Sequence, residues 1–218
     1  MASMAALLWR EFGTRAEWGT DVSQTPCTRA SSMAAMELTS ERLLLREMAP
    51  EDWPAVHEWG SRPEACRYQT WGPNTPEETQ AFGGRVVAAA AAEPRTEFTL
   101  LAQLRDTGRV VGSGSLFVRS QQFGTGEVAY IVHPDNWGQG IASEMAAALV
   151  GWGFAELGLH RVFGTCDPRN VASARVLRKL GMTHEGHMRH TALIRDGWRD
   201  SDLYAVLEHE WRAHPSSS

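Results

Sequence analysis

The stretch "HPDNWGQGIASEMAAALVGWGF" (133–154) places Gly138 and Gly140, with no charged side chain between Asp135 and Glu144, directly ahead of a long apolar run. Ile141, Met145, Leu149 and Trp152 recur at helical spacing, so the run predicts a helix with one apolar face turned to a core. Glycine lets a backbone turn sharply and approach a ligand closely. The first N–H groups of a helix have no partner inside it, and the helix dipole is positive at that end. The backbone of Trp137, Gly138, Gln139, Gly140, Ile141 and Ala142 can therefore wrap an anion, and a diphosphate fits that description.

Two other phosphate-binding patterns fail on residue identity. A Walker loop needs Lys and then Ser or Thr after its last glycine, where Ile141 and Ala142 stand. The dinucleotide fingerprint wants glycine at Ser143 and a parallel fold, whereas the runs upstream read as antiparallel strands. "EFTLLAQL" (97–104) and "RVVGSGSLFV" (109–118), joined through Asp106, Thr107 and Gly108, form a hairpin signal, and "GEVAYIVH" (126–133) follows them. "ERLLLREM" (41–48) adds an earlier strand. "APEDWPAVHEWG" (49–60) and "PNTPEETQAFGGRVVAAAAAE" (73–93) read as helices, the second capped by Thr75 with Pro76 at its first position. Downstream come a strand, "HRVFGTCD" (160–167), a helix from Asn170 to a stop at Gly181, and a last strand within "WRDSDLYAVLE" (198–208). The sum is a mixed α/β (α+β) chain, antiparallel early and strand-helix-strand late.

The chain of 218 residues has room for one domain with an appendage. Residues 1–35 carry no sustained period and read as a poorly ordered N-terminal extension; 36–214 hold the domain, and 215–218 a tail. At 43% hydrophobic and 22% charged the composition is that of an ordinary globular protein, and a net charge of −5 argues against a nucleic-acid or membrane footprint. Cys27, Cys66 and Cys166 lie far apart without a Cys-x-x-Cys pair, which points to a reducing, cytoplasmic setting. No apolar run approaches the roughly 20 residues needed to span a bilayer. His184, His187 and His190 look like a metal cluster, but in a strand residues three apart face opposite sides, so no metal is expected.

Taken together these motifs resemble the GNAT superfamily of N-acetyltransferases. Its acetyl-CoA motif, Gln/Arg-x-x-Gly-x-Gly/Ala, is matched over 137–142 at Gly140 and Ala142, with Trp137 departing from the first position. "NVASARVLRKLGM" (170–182) is similar to the family's second cofactor segment, in which Asn170 and Ser173 take the positions that contact pantetheine and the thiol. The tyrosine that many members carry after the family's leucine is absent, since Arg178 follows Leu177. With "LTSERLLLREMAPEDWPAV" and "GWRDSDLYAVLEHEW", the likeness extends over about 37–212 and favours the branch of ribosomal-protein alanine and serine N-terminal acetyltransferases. It implies a mixed, mostly antiparallel seven-stranded sheet with about four helices, acetyl-CoA as cosubstrate without a metal, and a homodimer.

The same resemblance implies that Ile131 and Val132 offer backbone groups to the cofactor from a splayed strand. Acetyl transfer to an amine also needs a proton acceptor and a proton donor. Glu127 is the first candidate base and His133 the second; each has a plain alternative, as an exposed strand carboxylate and a solvated turn residue. Ser173 is the candidate donor to the thiolate, or only a hydrogen bond to it, with Tyr130 a competitor whose plainer job is packing against the sheet. Tyr68 and Trp71 in "CRYQTWGPNT" could wall the acceptor site, or simply pack, and the resemblance implies that the hairpin around Gly197, Trp198 and Asp200 closes the other side. The expected acceptor is a peptide N-terminus or a small-molecule amine. The rival reading is a non-catalytic acyl-CoA-binding or regulatory module that kept the cradle without the chemistry.

Overall fold

The computed structural model describes residues 36–213, and the expected extension and tail lie outside them. Eight strands form one sheet: β1 (Glu37–Thr39), β2 (Leu43–Glu47), β3 (Glu97–Leu104), β4 (Val110–Ser120), β5 (Thr125–Val132), β6 (Arg161–Cys166), β7 (Thr183–Ile194) and β8 (Gly197–Leu207). They lie in the order β1-β2-β3-β4-β5-β6-β8-β7, and every neighbouring pair is antiparallel except β5 with β6. Among the described residues six α-helices accompany them: α1 (Trp53–Gly60), α2 (Pro63–Cys66), α3 (Pro76–Ala90), α4 (Ile141–Glu156), α5 (Val171–Lys179) and α6 (Glu208–Ala213). Among the described residues, no helix is long and apolar enough to cross a membrane.

The mixed fold agrees with the sequence reading, but the counts of seven strands and about four helices are corrected to eight and six. The extra strand, β1, has three residues, too few to show an alternation, and forms because Leu38 pairs with Leu45 of β2. The extra helices, α2 and α6, span four and six residues and are likewise too short for a helical period.

The central strands carry a core on both faces, which is why several of them read as near-continuous apolar runs, whereas the edge strand β7 is largely exposed. Leu100 and Ala102 of β3 join the larger core under α4 and α5, while Leu101 between them joins the second core with Val56 and Trp59 of α1 and Val86 of α3. On α4, Ile141, Met145 and Leu149 are buried as their spacing predicts, and Trp152 meets Phe98 edge-on at 4.8 Å. Gly114 of β4 lets this helix come close, since a Cβ there would lie 2.6 Å from the Leu149 side chain. Helix α3 starts with the expected cap: Thr75 Oγ1 accepts from the Glu78 N–H (3.2 Å), and the Glu78 carboxylate accepts from the Thr75 N–H (2.9 Å).

A register shift between His184 and Gly186 changes the reading of the histidines. The extra residue brings His184 opposite Tyr204 and His187 opposite Asp202, so the two rings share a face instead of pointing apart. Both contact Asp202, His187 Nδ1 at 2.8 Å and His184 Nε2 at 3.6 Å, and His187 Nε2 also meets Asp200 at 3.0 Å.

Two glycine substitutions should move stability in opposite directions. A Cβ on Gly112 of β4 would overlap the Ile131 carbonyl oxygen, so Gly112→Ala should cost about 1–3 kcal/mol. Gly84 of α3 has open space around it, and Gly84→Ala should stabilise by about 0.5–1 kcal/mol. Urea midpoints of the two variants check both signs.

Candidate active site

The parallel ladder between β5 and β6 is short. It joins Thr125 to Arg161, Gly126 to Val162 and Glu127 to Phe163, whereas β5 runs on to Val132 and β6 to Cys166. A wedge therefore opens in the middle of the sheet. The register of β5 on its other side decides which groups line it. His133 N–H donates to Val111 O (2.8 Å), and in an antiparallel pair such bonds occur at every second residue. Ile131 thus spends its backbone groups on β4, with its carbonyl oxygen crowding Gly112, while those of Val128, Tyr130 and Val132 face the wedge.

At the far end of β5 the chain turns into the glycine loop. Trp137 is half exposed, and its indole N–H donates to Val132 O (2.8 Å), tying loop to strand. Gly138 (φ 76°) and Gly140 (φ 81°) adopt the left-handed conformation that glycine tolerates without strain, and a Cβ on Gly138 would meet nothing within 4 Å. Gly140 is the N-cap of α4, and no side chain caps the helix, so its first amides stay available. Arg42 at the entrance to β2 braces this loop. Its Nη1 donates to Gln139 O (2.9 Å), and its backbone N–H and Nε both donate to the Glu144 carboxylate (2.7 Å each). About a hundred residues separate these partners, so nothing in the local pattern flags Arg42.

Asn170 and Ser173 stand at the start of α5. Asn170 Oδ1 accepts from the Ser173 N–H (3.1 Å) and so caps the helix, leaving the amide nitrogen of its side chain without a protein partner among the described residues. Ser173 Oγ lies 3.0 Å from the hydroxyl of Tyr130, which rises from β5 on the wedge side. The two candidate proton donors thus form one hydrogen-bonded pair. Burial holds the Tyr130 phenol well above its usual range, against the lowering effect of Ser173, which keeps it protonated. Cys166 adjoins them at the end of β6; burial, with Asp202 and Asp167 adding, pushes its thiol up to about 11 and keeps it unreactive.

The two candidate bases differ in availability. Glu127 projects from the opposite face of β5 to Tyr130, and Arg119 Nε donates to its carboxylate at 2.6 Å. His133 is buried: its Nδ1 accepts from the Asp135 N–H (3.2 Å), and its ring stands edge-on to Trp59 at 6.5 Å. This burial departs from the solvated turn residue expected as the alternative to a base.

The loop after α2 reaches the mouth of the wedge. Tyr68 donates its hydroxyl proton to Arg169 O (3.3 Å) in the turn between β6 and α5, and Trp71 is partly exposed nearby in sequence. Arg169 is fixed by Asp167, whose carboxylate accepts from its Nε (2.8 Å) and backbone N–H (2.9 Å); Arg169 in turn lowers the Asp167 carboxyl below its ordinary range. This side of the mouth holds its shape through charge-assisted bonds.

Residues 42–183 match the sequence model of the acetyltransferase (GNAT) domain. The uncharacterised N-acetyltransferase YnaD of Bacillus subtilis is 35% identical over 81% of this chain and 99% of its own length. A crystal structure of a GNAT-family acetyltransferase from Bacillus anthracis superposes with a TM-score of 0.71 at 32% identity, covering 80% of this chain and 99% of that one. The fold is also that of spermidine N-acetyltransferase from Vibrio cholerae in complex with CoA and spermine (TM-score 0.69, 17% identity, 79% and 99% covered). A splayed β5–β6 pair with an uncapped helix at its end, in a chain so matched, makes this protein a member of the GNAT acetyltransferase family and an acyltransferase.

Proposed function

We propose that the enzyme moves an acetyl group from acetyl-CoA to a primary amine, a peptide N-terminus or a small molecule, by direct attack while both substrates are bound. The observation that carries this reading is the wedge: outward-facing backbone on β5 runs straight into the unfilled amides of α4. The residues fit the donor. Amides from Gly138 to Ala142 would take its diphosphate, and the backbone of Tyr130 and Val132, with the side-chain amide of Asn170, would take the pantetheine arm. Ile131 supplies no backbone group to the wedge, and its place in that set passes to Tyr130. Acetyl-CoA supplies the activated thioester.

The chain's own groups then manage two protons. As the amine nitrogen bonds to the acetyl carbon and the carbon–sulfur bond breaks, the nitrogen must lose a proton and the departing sulfur must gain one. Glu127 is the carboxylate that β5 carries at the base of the wedge, and it takes the amine's proton directly or through a water. Its Arg119 partner holds the carboxylate in place on that face. The Tyr130–Ser173 pair lies on the other face and donates toward the sulfur, Tyr130 as the buried neutral phenol and Ser173 as its relay. Tyr130 thereby supplies from β5 the hydroxyl that other family members carry on the helix after their leucine. A backbone N–H in the wedge facing the developing oxyanion would contribute about 3–4 kcal/mol.

Two results are expected. Glu127→Gln should lower kcat/KM for the amine about 100-fold at pH 7, and the deficit should shrink as pH approaches the amine's own pKa of about 8 (α-amine) or 10.4 (lysine-like), where no base is needed. A deficit that stays constant with pH contradicts the base role. Tyr130→Phe and Ser173→Ala should each lower kcat about tenfold or more, and the double variant should be no worse than Tyr130→Phe alone, because the pair acts as one unit. Coenzyme A release on a panel of peptides, aminoglycosides and polyamines measures both.

A further inference from the structure

Arg195 occupies the tip of the β7–β8 hairpin, between Ile194 and Gly197. Its guanidinium leaves the hairpin altogether. Nη1 donates to the carbonyls of Trp71 (3.0 Å) and Gly72, and Nη2 donates to the carbonyl of Cys66 at the end of α2. Three backbone oxygens from a seven-residue stretch, 66–72, thus converge on one side chain 123 to 129 positions away. Among the described residues these are the only hydrogen bonds between that stretch and the hairpin.

The stretch is already folded tightly on itself. Gly72 has φ 69°, and a Cβ on it would lie 2.5 Å from the Cys66 sulfur; the Gln69 N–H donates to Cys66 O (3.0 Å) and the Asn74 N–H to Gly60 O (2.8 Å). This folding points the Trp71 and Gly72 carbonyls outward with no helix or strand partner, and Arg195 satisfies them, while also reaching the Cys66 carbonyl, with a planar fork whose donors reach several oxygens at once. The contacts also close a circuit. From Arg195 it runs through 66–72 to Tyr68, on to Arg169, to Asp167, and by Arg199 (Nε 3.8 Å from Asp167 Oδ2) back to the hairpin, where Arg199 also pairs with Asp196. Three separate elements around the mouth of the wedge are linked by this ring, hydrogen-bonded except at the Arg199–Asp167 ion pair, and Arg195 is where the hairpin grips the loop.

We propose that Arg195 is a specificity-determining positioning residue: by pinning 66–72 to the hairpin it sets the spacing of the walls between which the acceptor amine enters. The inference rests on the reading of Tyr68 and Trp71 as part of the acceptor side. Arg195 touches backbone only, so its effect reaches the acceptor through loop placement, and none of its hydrogen bonds goes to the donor cradle at 137–142.

Wild type and Arg195→Met can be compared by hydrogen exchange across 66–74 and by steady-state kinetics on two probes, spermidine and a peptide with N-terminal alanine, at saturating acetyl-CoA. Exchange in 66–74 should accelerate about tenfold or more with the rest of the domain unchanged. KM for the better amine should rise about tenfold, KM for acetyl-CoA should stay within about twofold, and the preference between the two amines should narrow. Unchanged exchange overturns the latch, and faster exchange with an unchanged acceptor KM and preference overturns its role in selection. Tyr68→Ala and Trp71→Ala examine the wall separately: if neither alters acceptor KM, the wall assignment is wrong, and the specificity role falls with it. No turnover of either amine by wild type contradicts those acceptors as substrates, and the exchange result alone then decides the latch.

Discussion

A parallel strand pair that stops after three residue pairs is the constraint on which the rest of this molecule depends. Backbone N–H and C=O groups inside a sheet demand partners, and leaving them dry and unpaired costs about as much as a lost hydrogen bond each. On the wedge side of β5 the chain leaves this demand partly open. One carbonyl, that of Val132, is answered internally by the Trp137 indole. The remaining edge matches what an extended, amide-bearing arm can offer as a surrogate strand. Trp137 also makes sense of its departure from the family's usual Gln or Arg: the position serves to hold the glycine loop on the strand, a task that an indole N–H can perform.

Charge is arranged around this opening with some economy. The N-terminus of α4 keeps its partial positive charge because Gly140 has no side chain to cap it, and Arg42 sits beside it, yet Glu144 already neutralises much of that arginine. The cradle consequently relies on oriented backbone amides more than on side-chain charge, which suits a protein of net charge −5. At the other end of the wedge the titratable groups are split by face, with Glu127 on the α1–α3 side and Tyr130 with Ser173 on the α4–α5 side. A carboxylate and a phenol on opposite faces of one opening can serve opposite proton movements without neutralising each other.

Much of this was legible in the sequence because it is local. The glycine loop, the apolar stripe from Ile141, the Thr75 cap and the Asn170 cap each occupy a few consecutive residues and obey simple periodicities. What was not legible depends on register or on distant partners. Whether Ile131 or Tyr130 faces the wedge is a question of alternation along β5, which only the pairing with β4 decides. A single extra residue near Glu185 rotated His184 and His187 onto one face. Arg42 and Arg195 act on backbone carbonyls roughly 100 residues away, and one arginine in a strand or turn looks like any other until the partner is placed.

The most direct measurement is an amide-resolved NMR titration of the purified chain with coenzyme A. The amides of Tyr130, Val132 and Gly138 to Ala142 should shift together and saturate, with Ile131, whose N–H is spent on β4, moving less than its two neighbours. Saturation that leaves Tyr130, Val132 and the glycine loop unmoved, or no binding at all, contradicts the wedge and cradle as the donor site.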